Sequence, residues 1–412
     1  GAPAAMALPG GCERCAEDTA ALHRARVAAE EAELRRLRQE YEELLQQLAS
    51  LPEEPGAPAL FPAGCSEPAA EGYTGPVAGD GDAAGAERFM LIFSQQHCAP
   101  VAGIAVSAED VVATAAWDGR LARFDLQRWH GLGPLDTGCS TASAAAQADK
   151  ALVAAAFMPS APSVLGVAVA HEVQLWELSE AGGARRAALL HAAPVSSFDF
   201  HGAQGMLAST ADDGQALLWD AAEHSQLRTF PCGEAELAAC RFLGGEAYQY
   251  LLATAGLDGA ACVWDVRCPS LLHCLEGEDA ATCLACHGGS HLLAVGDLGG
   301  HVRTWDARTW RELQRTELRE HLGPRASPRS LAASPCGTFL AAGCEDGEVL
   351  VLEAQRPGHF HRVLHHRDAV TALAWGGPLD WAAAPSFLAC ASLDGRWSCW
   401  APRVDGVGVE EY

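Results

Sequence analysis

The sequence is organised by a short unit that recurs along its length: an Asp-Gly pair, then an apolar stretch that ends in an aromatic residue. The clearest copies are "WDGRLARFD" at 117–125, "DDGQALLWD" at 212–220, "LDGAACVWD" at 257–265 and "LDGRWSCW" at 393–400. In each copy the Asp lies six residues before the aromatic residue. Asp-Gly favours a tight turn between antiparallel strands, so each copy predicts a turn followed by a strand.

Weaker copies fill the gaps between these four. They are "HEVQLWE" at 171–177, "GGHVRTWD" at 299–306 and "EDGEVLVLE" at 345–353. The aromatic position is then held in turn by Phe124, Trp176, Trp219, Trp264, Trp305, Leu352 and Trp400, at spacings of 41 to 52 residues. That period suits a four-stranded blade. The sequence therefore predicts an all-β fold with seven blades.

These units resemble the WD-repeat family over about three quarters of the chain. The resemblance implies a seven-bladed WD-repeat β-propeller, which we place at residues 87–404. A propeller must close to avoid unpaired strand edges. The last blade shows only three strands of its own, and the apolar segment "RFMLIFS" at 88–94 stands alone before the first blade. We expect that strand to complete blade seven, as closure works in the family.

The resemblance also implies a hydrogen-bonded tetrad within a blade, in which an Asp holds a His and the His reaches a Ser or Thr and a Trp. The full set is His191, Ser209, Asp213 and Trp219. Two partial sets are His97, Thr114 and Asp118 with Phe124 in place of Trp, and His366, Asp394 and Trp400 with Cys390 where the hydroxyl belongs. A third consists of Thr254, Asp258 and Trp264, without a well-placed His.

The region before the propeller divides into three segments. Residues 1–18 are expected to be a disordered N-terminus, residues 19–51 a coiled-coil helix and residues 52–86 a flexible linker rich in Pro, Gly and Ala. The helix prediction rests on the alternating three- and four-residue spacing of Leu34, Leu37, Tyr41, Leu44, Leu48 and Leu51. That seam suits a dimer or a partner's groove, and a helix folded against the propeller is the alternative. Residues 405–412 are expected to be an acidic C-terminal tail.

Charge and cysteine usage limit the class of partner. The net charge of −25 disfavours direct binding of nucleic acid and of anionic lipid. No apolar run is long enough to span a membrane, so membrane insertion is not expected. The 16 Cys are scattered, and several lie inside apolar runs, which fits a reducing cytoplasm or nucleus.

Signatures of catalysis and of cofactor binding are missing from the sequence. It contains no GxxxxGK[ST], HExxH or GxSxG motif, and the repeated His and Asp residues follow the blade period. We therefore predict no enzymatic activity and no cofactor. Cys12 and Cys15 form a CxxC pair, which supplies half of a zinc site and remains a weak metal candidate.

A basic run extends from Arg308 to Arg329 in this acidic chain, and its residues 309–320 are expected to form an extra helix or an extended outer strand. It is a candidate interaction site.

These observations predict a scaffold or adaptor subunit of a multiprotein assembly. The propeller faces would bind protein partners, and the N-terminal helix would anchor the chain or let it self-associate. Two alternatives remain open. The WDxR endings at Arg267 and Arg308 resemble the motif of substrate receptors of cullin-4 ubiquitin ligases, in which the Arg faces the adaptor. The negative charge instead favours a binder of histones or other basic proteins.

Overall fold

Seven antiparallel sheets of four strands each make up the fold. The computed structural model describes residues 89–97, 99–128, 130–136, 152–179, 182–245, 247–268, 270–287, 289–354, 360–364, 366–377 and 386–402. Within these residues 28 strands pair into the seven sheets, which we number as blades one to seven in chain order. In blades one to six the four strands follow chain order across the sheet, as an up-and-down meander.

The first three blades have the following strands. Blade one comprises β2 (Val101–Val106), β3 (Val111–Ala116), β4 (Arg120–Asp125) and β5 (His130–Asp136). Blade two comprises β6 (Leu152–Met158), β7 (Ala161–Val169), β8 (Glu172–Ser179) and β9 (Gly182–Leu190). Blade three comprises β10 (Val195–Phe200), β11 (Met206–Ala211), β12 (Gln215–Asp220) and β13 (Ser225–Pro231).

The next three blades repeat this arrangement. Blade four comprises β14 (Leu237–Phe242), β15 (Leu251–Gly256), β16 (Ala261–Asp265) and β17 (Ser270–Leu275). Blade five comprises β18 (Ala281–His287), β19 (Leu292–Asp297), β20 (His301–Asp306) and β21 (Arg311–Glu317). Blade six comprises β22 (Pro328–Ala333), β23 (Phe339–Cys344), β24 (Glu348–Glu353) and β25 (Phe360–Leu364).

Blade seven is assembled from two distant parts of the chain. Its first three strands are β26 (Val370–Gly376), β27 (Phe387–Ser392) and β28 (Arg396–Pro402), and its outer strand is β1 (Phe89–Gln96). β1 pairs antiparallel with β28, from Phe89 opposite Pro402 to Gln96 opposite Arg396. The apolar segment singled out in the sequence therefore supplies the fourth strand of the last blade.

The Asp-Gly turns have a local physical cause, which blade three illustrates. The Asp213 carboxylate accepts a hydrogen bond from the backbone N–H of Gln215 at 3.1 Å, which fixes the turn. Gly214 has a φ of +74°, and a Cβ there would lie 2.5 Å from the carbonyl oxygen of Gly233. Only glycine fits this position, because both the left-handed backbone and the close approach exclude a side chain.

The hydrophobic core is divided among the blade interfaces. In the described residues, seven apolar clusters are found, and each lies between two neighbouring blades. The cluster between blades seven and one contains Val101, Phe124 and Trp397, all at most 9 % exposed. Because this interface is built like the other six, the ring is closed and its first and last blades pack directly.

The basic run forms both of the structures expected as alternatives. Its first part is β21, the outer strand of blade five, and the short helix α1 (Leu318–Leu322) follows directly. Leu318 is fully buried and fixes this helix against the propeller. Within the described residues, no helix is long and apolar enough to cross a membrane.

Candidate functional site at the mouth of the central channel

Each blade contributes one irregularity at the same place in its first strand. The pairing of the first and second strands shifts register at the second residue of the first strand in all seven blades. A β-bulge of this kind re-aims a side chain out of the regular ladder. The seven bulge residues are Ala102, Val153, Ser196, Ala238, Thr282, Arg329 and Thr371, and all of them line one cavity.

A second ring of residues surrounds the same end of the first strands. In six blades the residue after the second strand donates its backbone N–H to the carbonyl of the residue just before the first strand, at 2.9 to 3.0 Å. These six residues are Trp117, Asp212, Leu257, Leu298, Glu345 and Leu393. The repeated hydrogen bond holds them at equivalent positions around the channel.

The seven bulge residues and these six residues, which we call the turn residues, surround the channel mouth, a cavity of about 530 Å³ that all of them except Asp212 line. Much of its lining is apolar and open to solvent: Trp117 is 46 % exposed, Leu257 41 %, Leu298 46 % and Val153 40 %. Exposed large apolar side chains grouped around a concavity are typical of a binding site for a protein or ligand. The mouth is therefore the candidate functional site.

Charged groups lie at the mouth in blade six and beside it in blade three. In blade six the Nε of Arg329 donates to Glu345 at 3.0 Å, so this bulge arginine is neutralised by the turn residue of its own blade. In blade three, partial burial raises the pKa of Asp212, and the nearby carboxylates of Glu236 and Asp213 raise it further. Such repulsion between carboxylates indicates an acidic patch beside the apolar lining.

In blade three, three members of the expected tetrad are joined by hydrogen bonds near this end of the sheet. The Nε2 atom of His191 lies 2.6 Å from Ser209 Oγ, and the Trp219 indole donates to the same oxygen at 2.8 Å. Burial lowers the pKa of His191 to about 4, although the charge of Asp213 acts in the opposite direction. The imidazole is therefore neutral at pH 7, as a structural hydrogen-bonding group should be.

Blade one has the same contact without the indole. His97 Nε2 lies 2.9 Å from Thr114 Oγ1, and Phe124 packs at the aromatic position with 9 % exposure. Burial lowers the pKa of His97, and the charge of Asp118 opposes that shift.

Blade seven differs from the expectation based on Cys390. The hydroxyl comes from Ser398 on the third strand, whose Oγ lies 2.9 Å from His366 Nε2 and accepts the Trp400 indole N–H at 3.0 Å. Cys390 and Ser398 face each other in the register of β27 and β28, so the hydroxyl has moved across one strand pair. Asp394 lies 3.3 Å from His366 Nδ1. Burial would raise the pKa of Asp394, but hydrogen bonds from His366 and from two backbone N–H groups hold it below its ordinary value.

Blades four and five place other groups beside the Trp of the third strand. In blade four the Trp264 indole donates to Thr254 Oγ1 at 3.1 Å, and Thr254 in turn donates to the Cys232 sulfur at 3.7 Å. In blade five the guanidinium of Arg303 lies 5.1 Å from the Trp305 ring centroid and donates to the Glu276 carbonyl at 2.9 Å. A thiol thus contacts the hydroxyl partner of Trp264, and a guanidinium lies over the ring of Trp305.

The two WDxR arginines lie at the other end of the sheets. Each arginine comes just after the end of a third strand. The turn residues of the mouth come just before the start of a third strand, so the two sets lie at opposite ends of that strand. The side chain of Arg267 is 63 % exposed and that of Arg308 62 %. Each donates its Nη2 at 2.7 Å to the Asp two residues before it, Asp265 or Asp306. Hydrogen bonds from Arg308 lower the pKa of Asp306 to about 2, so this pair is ionised across the physiological range.

Several predicted site residues lie outside the described residues. They are Cys12, Cys15, Leu34, Leu37, Tyr41, Leu44 and Leu48. Within the described residues, one group of three potential metal ligands lies within 4.8 Å, namely Asp279, Asp297 and His301. The Arg303 Nε atom lies 3.9 Å from Asp297, and a neighbouring guanidinium disfavours a bound cation.

The bulge residues were missed by the sequence analysis, although a signal for them exists. In blades one, three and seven the bulge residue follows the tetrad His by five positions, as Ala102, Ser196 and Thr371 do. Their side chains are small or polar and resemble ordinary strand residues. The bulge residues of these blades can be found by aligning the blades on the tetrad His, but not from residue type.

Comparisons with known proteins agree with this architecture. The family "WD domain, G-beta repeat" matches residues 188–220, 269–306 and 312–351. The chain is 28 % identical over 210 residues to "Protein groucho" of Drosophila melanogaster, an alignment that covers 47 % of this chain. It spans about a quarter of that relative's length, 26 %. The chain therefore contains WD repeats, and its seven four-stranded blades form a β-propeller.

Proposed function

We propose that this chain is a non-enzymatic scaffold or adaptor of a multiprotein assembly, and that it binds a segment of a protein partner at the channel mouth. The observation that carries the proposal is the pair of residue rings there, with large apolar side chains exposed around a cavity of about 530 Å³. Propellers of the WD-repeat family generally serve protein–protein interaction, which supports the same class of function.

The size and chemistry of the mouth define the kind of partner. A cavity of this volume takes a few side chains of a short segment, not a folded domain. Trp117, Leu257 and Leu298 would contact apolar side chains of that segment. The carboxylates of Asp212 and Glu236 favour basic residues beside them. We therefore propose an apolar segment with basic flanking residues as the ligand.

Alanine substitution separates the mouth from the rim of the propeller. The double variant Leu257→Ala, Leu298→Ala removes two mouth side chains that are 41 % and 46 % exposed. The matched control is Leu271→Ala, Leu272→Ala on β17, where exposure is 48 % and 44 %. Affinity purification with mass spectrometry identifies the partners of each full-length variant. A peptide from a retained partner is then titrated against all three proteins by calorimetry.

Loss of two well-buried leucine contacts should cost about 3 kcal/mol, which is about a hundredfold in Kd. We expect that loss in the mouth variant and an unchanged Kd in the rim variant. Equal affinity of the mouth variant and the unmodified protein would refute the proposal.

The N-terminal segment supplies the second part of the proposed mechanism. Residues 19–51 would anchor the chain in the assembly or link several propellers through the heptad seam, with residues 52–86 as a flexible connection. Linked propellers would gain avidity for a multivalent partner, because each further contact becomes intramolecular.

A second candidate function is that of a substrate receptor of a cullin-4 ubiquitin ligase. The observation that favours it is the matching geometry of Arg267 and Arg308 on adjacent blades, both exposed and both held by their own Asp. The double variant Arg267→Ala, Arg308→Ala should lose the ligase adaptor in pull-down while its melting temperature stays unchanged. Retained adaptor binding would rule out this role for the two arginines.

A third candidate function is the binding of histones or other basic proteins. The net charge of −25 and the carboxylates beside the mouth favour it. Binding governed by charge should weaken steeply as salt rises toward about 0.5 M, where the Debye length is about 4 Å. Affinity that stays constant over this range would leave the apolar mouth as the main determinant.

A further inference from the structure

Two cysteines face each other directly on adjacent strands of blade four. Cys262 on β16 is paired with Cys274 on β17, and their sulfur atoms lie 3.8 Å apart. Side chains at directly opposite positions of an antiparallel pair have Cβ atoms about 4.5–5.5 Å apart, close to the separation that a disulfide requires. Small side-chain rotations would bring the two sulfur atoms to bonding distance.

The two thiols differ in access to solvent. Cys274 is exposed on the outer strand, whereas Cys262 is 9 % exposed and lies on the third strand. Burial raises the pKa of Cys262 to about 12, and the charge of a neighbouring Cys274 thiolate adds to that shift. Since the thiolate is the nucleophile, Cys274 is the thiol that an external oxidant can reach and modify.

We propose that Cys274 and Cys262 form a thiol oxidation site that takes a low-molecular-weight disulfide, such as glutathione disulfide, as its oxidant. The Cys274 thiolate attacks one sulfur of the oxidant, and the sulfur–sulfur bond breaks to release the first thiolate. The Cys274 sulfur is now part of a mixed disulfide and can no longer ionise. Cys262 then loses its proton, attacks Cys274 Sγ and releases the second thiolate, which takes up a proton.

The chemical balance is two protein thiols oxidised by two electrons and one small disulfide reduced to two thiols. Capping of Cys274 removes the negative charge that opposed ionisation of Cys262, so the first step favours the second. The bond would close a ring that contains the turn carrying Arg267, and would tie the third strand of blade four covalently to its outer strand.

Other cysteines in the described residues lack this combination of an accessible thiol and a facing partner. Cys336 is exposed, and its partial burial, which would raise its pKa, is outweighed by hydrogen bonds with Ser334 and Thr338 that lower it, but it lies in a turn and not on a strand that faces another cysteine. Cys240, Cys283, Cys344, Cys390 and Cys399 are buried. Cys268 is exposed, and its sulfur lies 3.0 Å from the hydroxyl of Ser270. Cys268 therefore provides a matched control, as an exposed thiol that can take up glutathione in the same part of the chain.

The experiment treats the full-length chain with glutathione disulfide, blocks the remaining thiols and maps peptides by mass spectrometry without reduction. The variants are Cys262→Ala, Cys274→Ser and Cys268→Ser. In the unmodified protein we expect a Cys262–Cys274 linked peptide. In Cys262→Ala the glutathione adduct on Cys274 should be about tenfold more abundant, because its resolving thiol is gone. Cys268→Ser should behave like the unmodified protein.

Cys274→Ser keeps the proposal testable if Cys262→Ala does not fold. In that variant Cys262 should remain unmodified, because the oxidant reaches only Cys274. Three results in the unmodified protein would overturn the proposal: a stable glutathione adduct on Cys274 with Cys262 free, a link from Cys274 to Cys268, or an unreacted Cys274.

Discussion

The hydroxyl of Thr371 donates a hydrogen bond of 2.7 Å to the carbonyl of Val101, a residue 270 positions earlier in the chain. Thr371 is the bulge residue of blade seven, and Val101 begins the first strand of blade one. Thr282 makes the same bond between blades five and six, to the Pro328 carbonyl at 2.6 Å. The bulges therefore have two effects: they line the channel mouth, and at two of the blade interfaces they also join neighbouring blades.

Loss of the Thr371 hydroxyl should weaken the closure of the ring. We expect Thr371→Val to lower the free energy of unfolding by about 1–2 kcal/mol, because the Val101 carbonyl loses its side-chain donor in a partly buried position. Urea unfolding followed by tryptophan fluorescence measures the change. Thr229→Val serves as the control, since Thr229 is exposed on the outer strand β13 and should change stability little. Equal unfolding midpoints for the two variants would contradict the closing role of Thr371.

Protonation of His191 should destabilise the propeller in mildly acidic solution. Burial lowers its pKa to about 4, against 6.5 for the unperturbed group. The unfolded chain therefore binds a proton between pH 6.5 and 4 while the folded chain does not, so stability falls as pH falls through this window. The contribution is at most about 3 kcal/mol.

The variant His191→Gln tests this assignment, because Gln keeps a hydrogen-bonding group and cannot take up the proton. The pH dependence of unfolding between pH 4 and 6.5 should be shallower in the variant than in the unmodified protein. Parallel curves would show that His191 does not contribute to acid sensitivity.

The hydroxyl of blade seven can be moved back to the second strand. Ser398→Ala should destabilise the protein by about 2 kcal/mol, because the His366 imidazole and the Trp400 indole lose a shared partner. The double variant Cys390→Ser, Ser398→Ala puts a hydroxyl at the facing position and should recover about half of that loss. Chemical unfolding of the three proteins gives the comparison. A double variant no more stable than Ser398→Ala would show that the position of the hydroxyl is fixed.

Self-association through residues 19–51 should depend on the heptad seam. Leu37→Asp and Leu44→Asp place charges at two seam positions, which an apolar interface does not tolerate. Analytical ultracentrifugation of the full-length chain should show an oligomer that becomes a monomer in the double variant. The same monomeric mass in both proteins would rule out self-association by this segment.

The fold was predictable from sequence because its main signal is local. An Asp and a Gly at a turn, followed by an apolar strand, determine backbone geometry within a few residues, and Asp213 with Gly214 shows both causes. The tetrad of blade three was implied by the resemblance to the WD-repeat family, and His191, Ser209 and Trp219 of that set are in contact.

The contacts of blades four and seven were harder to predict. In blade four Cys232 contacts Thr254, and in blade seven Ser398 supplies the hydroxyl from the third strand. Their roles depend on which strands are neighbours, and residue spacing does not contain that information.

The channel mouth was harder to predict for a related reason. Bulge residues are defined by a shift in pairing between two strands, and the residue type of Ala102 or Ala238 does not mark such a shift. Spacing from the tetrad His marks the bulge in blades one, three and seven, but blade four has no well-placed His. The apolar turn residues Leu257 and Leu298 are visible in the sequence, but only the closed ring brings them around one cavity.

The pairing of β1 with β28 has a mechanical consequence. The chain enters the propeller at Phe89 and leaves it at Pro402, and these two residues are register partners. Force applied between the two flanking segments would open this strand pair one hydrogen bond at a time, beginning with Phe89 and Pro402. Force applied between the N-terminal segment and a partner bound at the mouth would instead act along β1, on several of the β1–β28 hydrogen bonds at once. The propeller would therefore open at low force when its two flanking segments are pulled apart. It would resist a higher force when the N-terminal segment is pulled against a partner at the mouth.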